Sequence, residues 1–169
     1  MNRTTAHRSL AILIITLVAA DWLTKLWITN ALALDQTWAL VDGWLYFVRR
    51  QNTGVAFSLF AELPAAWRVP ILSTISLVGI ALFTGIVRST PDRLSRLAGA
   101  AVIAGAVGNL GDRLLTGGVT DFVLLTFFPY VFNFADAAIT VGAAILMVRL
   151  AFVVDDGSLP PAVSGHGAA

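Results

Sequence analysis

Four long hydrophobic runs dominate the pattern of the chain. Each is long enough to cross a hydrocarbon core as a helix, which takes roughly 20 predominantly apolar residues. The runs lie at about residues 10–28, 69–87, 97–115 and 131–154. The pattern therefore predicts a mainly α-helical, polytopic membrane protein with four transmembrane helices, forming a single integral membrane domain over residues 1–169.

Composition supports this class and excludes several others. Of the 169 residues 57% are hydrophobic and only 12% are charged, whereas about 25% charged is usual in soluble domains. The net charge is +1 and the basic residues are scattered, so no nucleic-acid partner is expected. Cysteine is absent, which excludes disulfides and thiol nucleophiles. The two histidines lie near the termini, and we expect neither a metal site nor a cofactor.

The N-terminus allows two interpretations. Arg3 and Arg8 followed by an apolar run resemble a cleavable signal peptide. The run continues past Asp21 to Ile28, however, which favours a retained membrane anchor.

Arginine placement predicts the orientation. Arg3 and Arg8 precede the first run, and Arg88, Arg93 and Arg96 lie in the short segment between the second and third runs. Cytoplasmic loops carry an excess of Lys and Arg. We therefore expect both termini in the cytoplasm, although some arginines also fall in the first outer loop.

Two segments then lie outside. The first outer loop, residues 29–68, contains Asp42-Gly43 between apolar flanks, which predicts a hairpin, and Asn52-Thr53-Gly54, which predicts a second turn. We expect a small β-sheet (a cradle) resting on the outer surface of the membrane, followed by a short interfacial helix at about residues 59–67. The second segment, residues 116–130, is predicted as a loop that carries Asp121. The tail, at about residues 155–169, has the composition of a disordered end.

Polar side chains collect at one depth in three of the four runs, near the outer surface. They are Asp21 and Lys25 in the first run, Asn109, Asp112 and Arg113 in the third, and Asn133 and Asp136 at the start of the fourth, with Asp121 in the adjoining loop. Charged groups are costly in the membrane and usually mark functional sites.

Asp21 and Lys25 are four residues apart and could pair on one helix face or contact a substrate directly. Asp112 is interpreted as structural and Arg113 as a donor facing the substrate.

Two carboxylates in apolar surroundings suggest acid–base chemistry. When two carboxylates lie close together, the pKa of one rises and the pair shares a proton. The charged member can deprotonate a water while the protonated member polarises a carbonyl. A peptidase that uses Asp121 and Asp136 is the simplest such enzyme open to a chain without cysteine.

Five short motifs resemble the lipoprotein signal peptidases (signal peptidase II). They are Asp21-Trp-Leu-Thr-Lys25, Asn52-Thr-Gly-Val-Ala-Phe-Ser58, Gly108-Asn-Leu-Gly-Asp-Arg113, Val119-Thr-Asp-Phe122 and Phe132-Asn-Phe-Ala-Asp136. The order and spacing of all five fit that family of bacterial inner-membrane aspartic peptidases. Val55 and Gly111 depart from residues that are more usual there. Gly111 could loosen the third helix beside Asp112.

The resemblance implies roles for these residues. Asp121 and Asp136 would form the catalytic pair, supported by Asp21, Lys25 and Asp112. The substrate would be bound by Asn52, Gly54, Asn109, Arg113 and Asn133. It would be a prolipoprotein with a diacylglyceryl-modified cysteine, cleaved just before that cysteine in contact with membrane lipid. Inhibition by the cyclic peptide globomycin is also implied, and we expect a monomer.

Two other classes use similar residues. A transporter or proton relay also needs intramembrane carboxylates, but its site usually lies near the midplane, often between repeats. The charges here lie near one surface, and the two halves show no repeat. A membrane scaffold would have no need for two facing carboxylates.

Overall fold

A computed structural model describes residues 3–54 and 63–155 of the chain. The elements are α1 (Arg3–Ala31), β1 (Thr37–Val41), β2 (Leu45–Asn52), α2 (Ala65–Ser89), α3 (Arg93–Thr116), β3 (Val119–Leu125), β4 (Val131–Phe132) and α4 (Phe134–Asp155). The protein is therefore mainly helical, with one small antiparallel sheet.

Three of the helices are long and apolar enough to cross a membrane, namely α1 from His7 onwards, α2 and α3. Helix α4 follows with 22 residues and packs along α3. Glycine allows this close approach: a Cβ added at Gly142 would lie 2.6 Å from the Ala98 carbonyl oxygen, and one at Gly105 would meet the Ala135 carbonyl. Helix α3 contacts all three other helices and forms the centre of the bundle.

Local residues explain where α3 begins and ends. The Asp92 carboxylate accepts a 2.8 Å hydrogen bond from the Ser95 backbone N–H, which caps the first turn. The Ser95 hydroxyl donates to the same oxygen at 2.6 Å, and these two hydrogen bonds lower the pKa of Asp92. Gly117 ends the helix at φ +77°, a left-handed conformation that glycine adopts without steric cost. The break at Gly117-Gly118 turns the chain directly into β3.

The sheet has the order β1-β2-β3-β4, with every pair antiparallel. The predicted hairpin at Asp42-Gly43 is confirmed, because β1 and β2 flank a turn in which Gly43 has φ +77°. The prediction of a loop around Asp121 is wrong. Residues 119–125 form a central strand, in which Asp121 lies opposite Arg50 of β2. The two outer segments therefore make one sheet and not a sheet with a separate loop.

The sheet packs on the C-terminal end of α1. Ile28 of α1 and Leu32, just after the helix, bury their side chains against Phe122 of β3, and Phe47 and Val123 pack on this cluster. The rings of Trp27 and Phe47 are 5.5 Å apart and nearly perpendicular. This small core sets the position of β3 relative to the end of α1.

The predicted helix bounds need correction. All three earlier helices are longer than predicted, and the fourth begins at Phe134 because Val131 and Phe132 pair with β3 instead. Trp67 belongs to the first turn of α2. The remainder of the interfacial helix predicted at residues 59–67 falls mostly outside the described residues, as do Val55 and the tail beyond Asp155.

Candidate active site

Asp121 lies on β3 with its side chain turned towards the helices and only 2% of the residue exposed. Both carboxylate oxygens accept hydrogen bonds from amides. Asn52 Nδ2 donates to Oδ2 at 2.9 Å, and Asn133 Nδ2 donates to Oδ1 at 2.7 Å. The carboxylate is therefore held from the sheet on one side and from the start of α4 on the other.

The sheet aims the amide of Asn52. Asn52 ends β2 opposite Val119, so it lies near Asp121 along the neighbouring strand. The Gly54 backbone N–H donates to Asn52 Oδ1 at 3.0 Å. That bond occupies the amide oxygen and leaves the nitrogen to face Asp121. The turn predicted at Asn52-Thr53-Gly54 thus has a structural consequence at the site.

Asp136 lies in the first turn of α4 and is partly exposed. Asn109 Nδ2 of α3 donates to its Oδ1 at 2.7 Å, and the Asn133 backbone N–H donates to its Oδ2 at 3.3 Å. In return, the Asp136 backbone N–H donates to Asn133 Oδ1 at 2.9 Å. This reciprocal pattern is a capping box with Asn as the cap and Asp in place of the usual Glu.

Asn133 connects the two aspartates. Its side-chain oxygen caps α4 at Asp136, while its amide nitrogen donates to Asp121 and also to Asn109 Oδ1 at 3.1 Å. No part of Asn133 is exposed. A single buried amide thus fixes the relative position of the two carboxylates.

A buried ionic group supports this arrangement from α1. Lys25, 4% exposed, places Nζ 2.8 Å from Asp21 Oδ2 and 3.6 Å from Asp112 Oδ2. It also donates to Asn109 Oδ1 at 3.0 Å. The pairing of Asp21 with Lys25 expected from their spacing is confirmed.

The two acidic residues of this group also accept hydrogen bonds from backbone N–H groups. Asp21 Oδ1 accepts from the Ala135 N–H at 3.0 Å, and Asp112 Oδ2 accepts from the Thr120 N–H at 2.6 Å. Each donor lies one residue before a member of the aspartate pair: Ala135 before Asp136, and Thr120 before Asp121. No periodicity in the sequence predicts these long-range bonds, because each joins elements that meet only in the folded bundle.

Arg113 points away from Asp112, as adjacent helical residues must. Its Nη1 lies 3.5 Å from the Ser76 hydroxyl of α2 and from the Asn109 carbonyl. Its Nε is buried without a hydrogen-bond partner among the described residues. Arg113 is only 6% exposed, so its guanidinium borders the carboxylates from within the bundle rather than from solvent.

The environment of Asp121 disfavours its charged form. Burial, the largest cause, and the nearby Asp136 charge together raise the pKa of Asp121 to about 7, against the hydrogen bonds from Asn52 and Asn133. One of two adjacent carboxyl groups can therefore hold a proton near neutral pH, which is the condition for general acid–base work.

The candidate catalytic, substrate-binding and supporting residues predicted from the sequence meet at this site. Asp121 and Asp136 share Asn133, and Asn52, Gly54, Asn109 and Arg113 lie around them, with Asp21, Lys25 and Asp112 behind. The fold and the site together define a helical membrane protein with a buried pair of hydrogen-bonded aspartates near one end of the bundle.

Comparison with known proteins identifies the family. Residues 13–152 match the model of signal peptidase (SPase) II, and the chain belongs to that family. A lipoprotein signal peptidase of Synechocystis is 40% identical over 133 residues, covering 77% of this chain and 80% of the relative. One from Pseudomonas syringae is 36% identical, covering 82% and 83%, and one from Shouchella clausii is 33% identical, covering 82% and 90%.

Solved structures show the same fold. A bacterial membrane enzyme determined by the in meso method superposes with a TM-score of 0.79 over 90% of this chain and 93% of that protein, at 22% sequence identity. A second one superposes with a TM-score of 0.75, over 84% of this chain and 92% of that protein. None of these relatives supports the transporter hypothesis.

Proposed function

We propose that this protein is a membrane aspartic endopeptidase that removes signal peptides from diacylglyceryl-modified prolipoproteins, cutting just before the modified cysteine. Membership of the signal peptidase II family supports the substrate class. The observation that carries the chemistry is the Asn133 side chain, which bonds Asp121 Oδ1 at 2.7 Å while it caps the turn that holds Asp136.

Asp121 holds the shared proton in this proposal. It is the buried member, with a pKa raised to about 7 by burial and by Asp136. Asp136 is partly exposed and can reach a water. Asp136 takes a proton from that water, the water oxygen attacks the scissile carbonyl carbon, and Asp121 protonates the carbonyl oxygen.

The tetrahedral intermediate then collapses. Asp136 gives its proton to the leaving amine nitrogen as the C–N bond breaks, and Asp121 regains its proton from the intermediate's hydroxyl. The products are a signal peptide with a free carboxyl group and a lipoprotein with a free α-amino group. The pair returns to its starting protonation, so no cofactor is consumed.

The substrate backbone is bound by the groups that surround the pair. Asn52 and Asn109 offer amides from opposite sides, and Gly54 offers backbone next to Asn52. Arg113 carries an N–H without a partner among the described residues, and a substrate carbonyl would satisfy it. Globomycin, a cyclic peptide, would compete for the same groups.

The membrane arrangement follows from the charges. All four helices span the inner membrane, with the arginine-bearing connection between α2 and α3 in the cytoplasm together with both termini. The sheet and the aspartate pair then lie at the periplasmic face. A diacylglyceryl group can remain in the outer leaflet while the peptide bond beside it enters the site. The working unit is a single-domain monomer.

A cleavage assay with matched substrates tests the proposal. The purified protein in detergent receives one prolipoprotein in two forms, with and without the diacylglyceryl group on cysteine. We expect cleavage before the cysteine only in the modified form, with inhibition by globomycin. Equal cleavage of both forms, or cleavage of neither, contradicts the proposed substrate class.

A further inference from the structure

Lys25 contacts neither aspartate of the proposed catalytic pair, but its ammonium group contacts several of the side chains that surround the pair. Its ammonium group is buried and touches three side chains, which are Asp21, Asp112 and Asn109. A buried ammonium is costly unless it is paired and hydrogen-bonded. One pairing with Asp21 on the same helix would meet much of that need, so the further contact with Asn109 invites a functional explanation.

The contact between Lys25 and Asn109 determines the orientation of the Asn109 side-chain amide. An amide has one oxygen and one nitrogen end, and an ammonium can only donate. Because Lys25 Nζ donates to Asn109 Oδ1, the Nδ2 end must face Asp136, where it donates at 2.7 Å. The same oxygen accepts from Asn133 Nδ2, which also donates to Asp121. Two amides therefore link the ammonium to both aspartates.

The charges around the pair are unequal in number. Four carboxyl groups, those of Asp21, Asp112, Asp121 and Asp136, face the two cations Lys25 and Arg113. From α2 the uncharged Ser76 hydroxyl lies 3.5 Å from Arg113 Nη1. Loss of one cation from so small a set must favour the protonated forms of the remaining carboxyl groups.

We propose that Lys25 is a positioning residue and fixed counter-charge for the aspartate pair: it holds the Asn109 amide nitrogen towards Asp136 and keeps one carboxylate of the pair ionised at neutral pH. This inference rests on the proposed function for its catalytic consequence, but its electrostatic part concerns the folded protein alone. The positive charge of Lys25 acts on Asp121 in the direction that lowers its pKa.

Carboxyl titration tests the proposal without any substrate. The full chain in detergent is titrated by infrared spectroscopy, and the protonated-carboxyl band of Asp121 is assigned by its loss in Asp121→Asn. We expect Lys25→Met to raise the midpoint of that band by roughly one pH unit. Arg149→Met is the matched control, because it removes a cation paired with Asp92 at 3.3 Å and should leave the midpoint unchanged.

Two further variants separate charge from shape. Asp112→Asn keeps an acceptor for the Thr120 N–H but removes a negative charge near Lys25, so the midpoint should fall. This variant keeps the proposal testable if Lys25→Met does not fold. Lys25→Arg keeps the charge, so the midpoint should stay while turnover falls, because a planar guanidinium cannot reproduce the three contacts of the ammonium.

An unchanged midpoint in folded Lys25→Met, or in Asp112→Asn, would overturn the counter-charge role. Full turnover in Lys25→Arg would overturn the positioning role. Either result leaves the peptidase proposal standing, and failure of all variants and wild type to cleave a prolipoprotein would leave the titration result standing.

Discussion

Asn133 and Asp136 cap the first turn of α4 for each other: the Asp136 N–H donates to Asn133 Oδ1 at 2.9 Å, and the Asn133 N–H donates to Asp136 Oδ2 at 3.3 Å. A capping box is normally a device for helix stability. Here one of its members also donates to Asp121, so the start of a helix and the geometry of the aspartate pair depend on the same side chain.

Variants at Asn133 can separate these two tasks. Serine is a good N-cap but too short to donate to Asp121, whereas alanine can do neither. We expect both Asn133→Ser and Asn133→Ala to lose turnover by roughly 10²-fold, as for loss of one preorganised donor. Thermal unfolding in detergent should show Asn133→Ala less stable than Asn133→Ser by about 1 kcal/mol. Equal turnover in wild type and Asn133→Ser would show that the bond to Asp121 is not needed.

The stability of Asp121→Asn should depend on pH. Because the folded-state pKa of Asp121 is about 7, above the ordinary value of 3.8, its contribution to stability is fully present below pH 3.8 and is lost as pH rises through 7. The Asn variant lacks this loss. Its melting temperature relative to wild type should therefore be higher at pH 8 than at pH 5.

Asp92→Asn is the control for that measurement. The hydrogen bond from Ser95 lowers the pKa of Asp92, so its stabilising contribution is lost only below pH 3.8. Its effect on the melting temperature should be the same at pH 5 and pH 8. A parallel pH trend in both variants would contradict the raised pKa of Asp121.

Gly111 and Trp22 form a complementary pair between α3 and α1. A Cβ at Gly111 would lie 2.5 Å from Trp22 Cζ2, so the indole ring occupies the space that a larger residue would fill. The sequence predicts that Gly111 could loosen α3. In the structure the Trp22 ring packs directly on Gly111 and fills the space beside it. Gly111→Ala should destabilise the protein by about 1–3 kcal/mol through overpacking.

A double-mutant cycle checks this pairing. Adding Trp22→Ala to Gly111→Ala should recover stability, with a coupling of about 0.5–3 kcal/mol measured by unfolding in detergent. Additive effects would show that the two residues do not compete for space.

The tips of the two hairpins are expected to enter the outer leaflet. Thr126 bonds the carbonyls of Trp44 and Gly43, and the Trp44 and Phe127 rings are 6.4 Å apart, so the tips form one exposed aromatic unit. Aromatic residues favour the membrane interface. The chain has no cysteine, so single-cysteine variants can be spin-labelled without other changes.

In liposomes, a label at Phe127→Cys should be more accessible to oxygen than to a water-soluble relaxation agent. Ala39→Cys is the control, because the Trp38 ring lies 6.4 Å from Trp27 of α1 and the next strand residue, Ala39, therefore faces away from the helices. Equal accessibility at the two positions would place the tip in water.

The sequence predicted the helices and the site better than the sheet. Apolar runs of about 20 residues are read directly from composition, and polar residues within them mark one depth. The sequence predicts a loop around Asp121, because Val119–Leu125 lacks the apolar–polar alternation of a half-exposed strand; the structure shows a strand whose first four residues are buried. Its partner β2 lies about 70 residues away in the chain, so only folding reveals the pairing. The hydrogen bonds between Lys25 and Asn109 and between Asp21 and Ala135 likewise cannot be predicted from the sequence, because each joins residues on two separate helices.

Turnover of a diacylglyceryl-modified prolipoprotein by wild type, Asp121→Asn and Asp136→Asn tests the central claim most directly. Asn preserves the shape of each side chain but can neither accept the water proton nor donate a carboxyl proton. Both variants should remain folded in detergent and lose activity by at least roughly 10²–10⁴-fold. Substantial turnover by either folded variant would contradict the two-aspartate mechanism.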